Sequence, residues 1–402
     1  MIRITIRNAV IVDCVRTAIG KLGGTLKNEP VDFLASHVIK KVIDRSGINK
    51  ESVDEVILGQ AKQSADSSNL ARLSLLRANL PVKVPGYTVH RQCGSGLQAI
   101  NLADMQIKMG LSDLIVAGGA ESMSTAPYYI RHARYGFGAG NGELLDPNTE
   151  SQPRSQPYEM YGDLTMGLTA ENLAAKYNIS REEQDEFAFR SQELAAKAIS
   201  SGRFDTEIIP YKVKTKKHEV IFDKDEHPRN TSKEKLAELK AVFKSNGTVT
   251  AGNASGRNDA ASVVLMMDEL KAKELNLKPK AKILSQSSVG VPPEIMGIGP
   301  VYSTCKALKE AKLTMADIGQ VELNEAFSAQ ALAVIKELNI KLNRVNTNGG
   351  AIALGHPIGA TGSILLTKLI HELERRGEKY GLVTLCIGGG QGITTVVENL
   401  SI

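Results

Sequence analysis

Two stretches of this chain repeat one plan. FLASHVIKKVIDRSGINKESVDEVILGQ, beginning at Phe33, and VYSTCKALKEAKLTMADIGQVELNEAF, beginning at Val301, each read as an amphipathic helix, a polar turn and a short apolar strand. GLSDLIVAGGAESMS and KYGLVTLCIGGGQGITT likewise both set an apolar run directly before a pair or triplet of glycines. A duplicated alternation of strand and helix leaves few folds open. Strands alternating with helices imply layered α/β units with right-handed crossovers, in which strands covered on both faces become continuous apolar runs. The chain is therefore expected to be α/β, built as two layered halves of one design. Ligands in such sheets bind outside the carboxyl ends of the strands, so a concave site is expected where the halves meet.

A length of 402 residues exceeds what one hydrophobic core usually holds. Residues 1–124 together with 251–279 make the first half in this reading, and 280–402 the second. Residues 125–250 differ in composition and read as an insertion, with an amphipathic helix near SREEQDEFAFRSQELAAKAI and the charged run VKTKKHEVIFDKDEHPR. The plainest account of that run is a solvated face.

Three segments built of small residues each carry one reactive side chain. In VPGYTVHRQCGSGLQAINLADMQI a β-like run gives way to a Gly-rich turn and a helix that begins beside Cys93. A helix N-terminus favours the thiolate, the form that attacks carbonyl carbon, and Gly94 and Gly96 are read as leaving room for an acyl group. NTNGGAIALGHPIGATGS surrounds His356 with Gly349, Gly350, Gly355, Gly359 and Gly362. In LVTLCIGGGQGITTVV, Cys386 ends an apolar run, and Gly388, Gly389 and Gly390 leave backbone N–H groups to face a ligand. Each has a plainer reading when taken alone. A buried cysteine acts as a small hydrophobe, and a lone histidine is more often a structural residue.

Taken in order, CGSGLQAI, GGAESMS, TAGNASGRNDAA, NEAFSAQ, GHPIGATG and CIGGGQG resemble the thiolase family, in its branch of acetyl-CoA acetyltransferases and 3-ketoacyl-CoA thiolases. One such string is weak; their joint order along the whole chain is specific. The resemblance implies a five-layer αβαβα fold of two thiolase halves, with the 125–250 insertion covering coenzyme A. Lys214, Lys216, Lys217 and Arg229 are then candidates for its phosphates. It also implies roles. Cys93 would be the nucleophile, holding the acyl group as a thioester, and His356 would accept its proton. Cys386 would move the α-proton of a second acetyl-CoA, a task suited to a thiol whose pKa lies near the operating pH. Asn324 would hold a water that helps His356 bind the enolate oxygen, and the N–H groups of Cys93 and Gly388 would form a second oxyanion hole.

For binding, the resemblance points to Ala254 and Ser255 at the pantetheine amides, Phe243 and Phe327 near the pantetheine, and Met166 and Met296 at the acyl end. Plainer readings stand beside these. Asn324 also fits a helix cap, Glu325 a first-turn carboxylate, and TAGNASGRNDAA an N-cap cluster, while methionine and phenylalanine more often fill cores. Two positions depart from the family: His90 stands where Asn is usual, and Thr165 where the acetoacetyl branch often has His.

The activity implied is ping-pong condensation of two acetyl-CoA to acetoacetyl-CoA and CoA, with its reverse thiolysis, using no metal or redox cofactor. A broad-chain 3-ketoacyl-CoA thiolase of β-oxidation and a non-catalytic acyl-CoA-binding protein are the alternatives. Decarboxylating ketoacyl synthases generally have a second histidine where Cys386 stands.

Composition narrows the partners. A net charge of +5 suits an anionic ligand, but with 4% aromatic residues and no concentrated basic face, nucleic acid is not expected. Cys14, Cys93, Cys305 and Cys386 have no metal-like spacing and suggest no disulfide framework. MIRITIRNAVIVDCVRTAIG shows neither a secretory nor a transit pattern, and no run reaches membrane-spanning length, so the expectation is a cytoplasmic protein without membrane contact. By resemblance it is a homodimer or homotetramer, with Tyr128 to Gly142 tying dimers together.

Overall fold

The computed structural model describes residues 7–214 and 218–402, so Lys216 and Lys217 lie outside the described residues. In the first half, strands β1 (Ala9–Arg16), β2 (Glu55–Gly59), β3 (Gly86–Val89), β4 (Leu114–Ser122) and β5 (Asn258–Asp268) lie in the order β1-β5-β4-β2-β3. β2 is parallel to β3 and β4, and β5 is antiparallel to β1 and β4. In the second half, β6 (Ala281–Gly290), β7 (Gln320–Leu323), β8 (Tyr380–Ile387) and β9 (Gln391–Asn399) repeat that arrangement as β6-β9-β8-β7. β7 is parallel to β8, β9 is antiparallel to β8 and β6, and a single Val321–Val345 bridge takes the place of the edge strand. The duplication read from sequence is thus a duplication of strand order. One pairing, Ile11 opposite Ala281, joins the two sheets.

The longer helices are α1 (Val31–Ser46), α2 (Leu70–Arg77), α3 (Ser95–Lys108), α4 (Met166–Tyr177), α5 (Arg181–Ser200), α6 (Gly299–Ala311), α7 (Ser328–Glu337) and α8 (Ile358–Arg376). α1 and α2 cover the outer face of the first sheet, packing on Val56, Leu58, Val116, Val263 and Leu265. α6 and α7 cover the outer face of the second with Val321, Leu323, Leu382 and Val396. α3 and α8 lie between the sheets, where Leu97, Ile100, Leu366 and Leu369 meet Ile57, Ile115, Val264, Val383 and Leu385. Alternate strand residues supply the two faces, as the two-residue period of a strand dictates. Five layers, αβαβα, result.

A helix covered on both sides must bury its polar residues too. Lys368 of α8 does so by donating to Glu322 at 2.9 Å and to the carbonyl of Gly349 at 2.7 Å. The insertion is tied to the body in the same way. Buried Arg16 of β1 donates to Glu207 at 2.7 Å and to both oxygens of Asp225 at 2.7 and 3.0 Å. Such pairs hold register at a high desolvation cost, so each partner is indispensable once the other is buried.

Candidate active site

Cys93 sits where β3 has ended and α3 begins. Gln92, just before it, takes the left-handed conformation with φ +45°, which a side chain adopts only when its surroundings enforce it. Ser95 does the enforcing: its hydroxyl donates to the Gln92 carbonyl at 2.6 Å and accepts from the N–H of Arg91 at 2.8 Å. The neighbouring glycines serve a different end from the one expected. A Cβ on Gly96 would stand 2.8 Å from the Gly359 carbonyl oxygen, and one on Gly94 would stand 2.7 Å from Ile387 Cδ1. They let α3 lie against α8 and β8, and so bring the three reactive segments together.

Burial pushes the Cys93 thiol up to about 11, against the pull of the Gly388 N–H, the Lys62 charge and its own N–H. Gly388 is positioned by the turn after β8, where Gly389 and Gly390 have φ +84° and +85°. Cys386, at the end of β8, is fully buried, among Ala326, Phe327, Met296 and Ala254. Its apolar surroundings, and then the nearby Cys93, push its pKa strongly upward. The thiol poised near the operating pH is therefore not what the resting site holds: Cys386 is protonated, because burial and Cys93 outweigh its own backbone N–H, the one group there that favours the thiolate.

His356 lies just before α8, its backbone N–H donating to Asn258 at 2.9 Å. Its Nδ1 is 2.6 Å from the Thr361 hydroxyl, which itself donates to the Pro357 carbonyl at 2.9 Å. One hydroxyl has one proton to give, so the pattern assigns the imidazole proton to Nδ1 and leaves Nε2 as the acceptor. Burial lowers the pKa of His356 to about 4, making it a neutral base. The free side chain titrates near 6.5, so unfolding takes up protons between that pH and about 4, and stability falls as pH falls through this window. Wild type should lose roughly 2 kcal/mol more than His356→Asn between pH 7 and pH 5, measured by denaturant midpoints.

These groups open onto one cavity of about 200 Å³, lined by Cys93, His356, Cys386 and Gly388. Met166, Met296, Phe243 and Phe327 line it as well, the two phenylalanines meeting edge to face with centroids 6.0 Å apart. Ala254 and Ser255 complete that wall. Ala254 forms a bridge with Phe327, and the N–H of Ser255 donates to the Ala326 carbonyl at 3.0 Å. TAGNASGRNDAA leads into β5, so it caps no helix.

Asn324 is not a lining residue. It is fully buried, and among the described residues neither its amide oxygen nor its nitrogen has a partner. It does not cap α7 either, whose N-cap is Phe327. Glu325 is a hub rather than a first-turn carboxylate, accepting from Ser191 at 2.6 Å, Asn346 at 2.8 Å and the N–H of Ile352 at 3.2 Å. Of the basic candidates, Lys214 ends an outlying hairpin strand, Tyr211–Lys214. Arg229 instead lines a cleft with Lys21 and His227, and this cleft shares Gly256 and Arg257 with the main cavity.

Models of the thiolase N-terminal and C-terminal domains match residues 9–270 and 277–399. The chain belongs to the thiolase family. It is 47% identical to the acetyl-CoA acetyltransferase of Syntrophomonas wolfei, over 98% of this chain and 100% of that one. The crystal structure of the Bacillus anthracis acetyl-CoA acetyltransferase superposes with a TM-score of 0.96 at 47% identity, over 99% of this chain and 100% of the other. Human mitochondrial 3-ketoacyl-CoA thiolase superposes with a TM-score of 0.94 at 41% identity, covering 98% and 100%. This thiolase is thus an acyltransferase.

The two departures have local explanations in this thiolase. Thr165 is the N-cap of α4, its hydroxyl accepting from the N–H of Leu168 at 3.4 Å. His90 lies in the segment between β3 and Cys93, where burial lowers its pKa. Sequence reasoning missed part of the cavity wall: Lys62, Gln92, Ser151, Ser155 and Arg257. A signal existed for Lys62, which follows the carboxyl end of the parallel strand β2 by three residues. For Ser151 and Ser155 there was none, since two short helical turns of the insertion, Pro147–Glu150 and Pro153–Ser155, bring them in. Among the described residues no helix is long and apolar enough to cross a membrane.

Proposed function

We propose that this thiolase is an acetyl-CoA C-acetyltransferase that condenses two acetyl-CoA to acetoacetyl-CoA and CoA and runs the reverse thiolysis. The observation that carries the reading is the convergence of Cys93, His356 and Cys386 on one cavity. His356 Nε2 takes the Cys93 proton, and the sulfur attacks the acetyl carbonyl. The oxyanion that forms faces the N–H groups of Cys93 and Gly388, whose direction toward the sulfur suits that task. The proton leaves with CoA, and acetyl-Cys93 remains. Cys386 then passes its own proton to His356, and the thiolate left behind takes the α-proton of a second acetyl-CoA. The His356 imidazolium and a water on Asn324 hold the enolate oxygen, the enolate attacks the acetyl carbonyl to form acetoacetyl-CoA, and His356 returns a proton to the released Cys93 sulfur. Fixed donors of this kind are each worth a factor of about a hundred to a thousand. An amide with both polar atoms free of protein partners is well suited to hold a water.

Every step moves a proton or an acyl group, so the scheme calls for no metal or redox cofactor. In thiolysis the protonated state of Cys386 is the useful one, since it gives its proton to the departing enolate. Ser255, Ala254, Phe243 and Phe327 would receive the pantetheine, and Met166 and Met296 would close the acyl end. Arg229 and Lys21 are placed to meet phosphate. A homodimer is the minimum assembly, and the exposed Tyr128, Ile130, Tyr135 and Phe137 support residues 128–142 tying dimers into a homotetramer.

Thiolysis of a 3-ketoacyl-CoA series from four carbons upward tests the reading, followed by loss of enolate absorbance. Preference for acetoacetyl-CoA is expected, by at least tenfold in kcat/KM, because added methylenes meet Met166 and Met296 and each misfit is worth about 1–3 kcal/mol. Equal turnover of long chains would make the protein a broad 3-ketoacyl-CoA thiolase instead.

A further inference from the structure

The scheme above leaves two cations of the cavity unused, Lys62 and Arg257. Lys62 is only 8% exposed and lines the same cavity as Cys93, His356 and Cys386. Its ammonium donates to the Pro147 carbonyl at 3.3 Å and to the Ser151 hydroxyl. Both acceptors are neutral, and among the described residues no carboxylate oxygen comes within 4.0 Å of its nitrogen. Arg257, the other cation of the wall, has Asp146 at 3.6 Å. Glu121 favours the ammonium through its charge but makes no ion pair with it, accepting from the N–H groups of Ala61, Lys62 and Gly359 at 3.0, 3.1 and 2.9 Å. A buried charge without a paired anion is costly unless an anion forms beside it. The sulfur of Cys93 is the group in this cavity that turns anionic during the reaction.

We propose that the Lys62 ammonium is the electrostatic counterpart of the Cys93 thiolate, an inference that rests on Cys93 being the nucleophile. His356 does not fill this place at rest: it is neutral, and turns cationic only after taking the proton. When Cys93 ionises, its proton passes to His356 Nε2, and Lys62 stays protonated throughout. The charged and titratable groups facing Cys93 come from several elements. Lys62 follows β2, Glu121 lies in β4, Cys386 ends β8 and His356 precedes α8. Glu121 opposes ionisation of Cys93, and Lys62 is the side chain that favours it. Burial lowers the pKa of Lys62, while Glu121 and then the Cys93 sulfur favour its ammonium, as Asp146 does more weakly, and Arg257 opposes it.

A second line of contacts leads from Lys62 to the same turn. Ser155 donates to the Ser151 carbonyl at 2.8 Å and accepts from the Gln92 amide at 3.3 Å. Lys62 therefore also braces the Cys93 turn, and the test must separate charge from bracing. Gln in place of Lys keeps a donor for Pro147 and Ser151 but carries no charge.

The rate of Cys93 alkylation by iodoacetamide, read from the mass of its peptide across about pH 6 to 10, measures the thiolate directly. This range lies below the Cys93 midpoint, where the rate is proportional to the thiolate fraction, so Lys62→Gln and Lys62→Met should both slow alkylation about tenfold throughout it, the equivalent of a midpoint raised by about one unit, while Lys62→Arg stays within a few-fold of wild type. A wild-type profile in Lys62→Gln would overturn the proposal, whatever Lys62→Met does, and would leave Lys62 a brace alone. If Lys62→Met does not fold, the Gln and Arg variants decide. Prior incubation of wild type with acetyl-CoA tests the underlying reading separately: if Cys93 is not the nucleophile, it stays unprotected from alkylation.

Discussion

Cys93→Ala is expected to abolish condensation and thiolysis together, with kcat falling about 10⁴-fold or more while the protein remains folded. The size of the effect follows from what is left. Cys386 shares the cavity but is held as a thiol by burial and by Cys93 itself, so it does not substitute as a nucleophile at neutral pH. His356 retains its lone pair but has no proton to accept from an alanine. Direct transfer between two CoA thioesters would then need both in place at once, losing the division into two easier steps. Cys93→Ser should rescue little, because an alcohol is a far weaker acid than the thiol it replaces. Wild type incubated with acetyl-CoA should show an acetyl group on the Cys93 peptide, and Cys93→Ala none. Acetylation of Cys386 in the wild type would reverse the assignment of the two cysteines.

Cys386→Ala should separate the half-reactions. Acetyl transfer to Cys93 does not use the Cys386 proton, so a burst of CoA equal to the enzyme concentration should survive. The carbon–carbon step should fall by about 10³-fold, a typical loss for a positioned acid–base group. Little packing is lost with the sulfur, and Ala326, Phe327 and Met296 still surround the position. Rapid-quench measurement of CoA beside acetoacetyl-CoA distinguishes the outcomes. Loss of the burst would mean that Cys386 acts in acetylation, and retention of condensation would leave the proton transfer to another group.

How much was legible depended on what each feature required. The duplicated order of β1 to β5 and β6 to β9 was readable because strands buried on both faces must be apolar throughout, and two copies of one pattern confirm each other. Cys93, His356 and Cys386 stood out because each lies in a glycine-rich string. The stated reason for two of those glycines was wrong: Gly94 and Gly96 serve close packing of helix on strand and helix, a requirement set by residues far away in sequence. Arg16 and Lys368 gave no sign of being buried, since their partners, Glu207, Asp225 and Glu322, are named only by the fold.

The chain by itself determined the layered α/β class and the family, and singled out Cys93, His356 and Cys386 as candidates, because periodicity and local turn chemistry are written within short windows. Only the tertiary structure decided their electrical state. Burial of His356 to a neutral imidazole, the protonated thiol of Cys386 and the placing of Lys62 in the cavity of Cys93 arise from desolvation and from charges on separate elements. Such terms depend on distance and local dielectric, which no window of sequence contains.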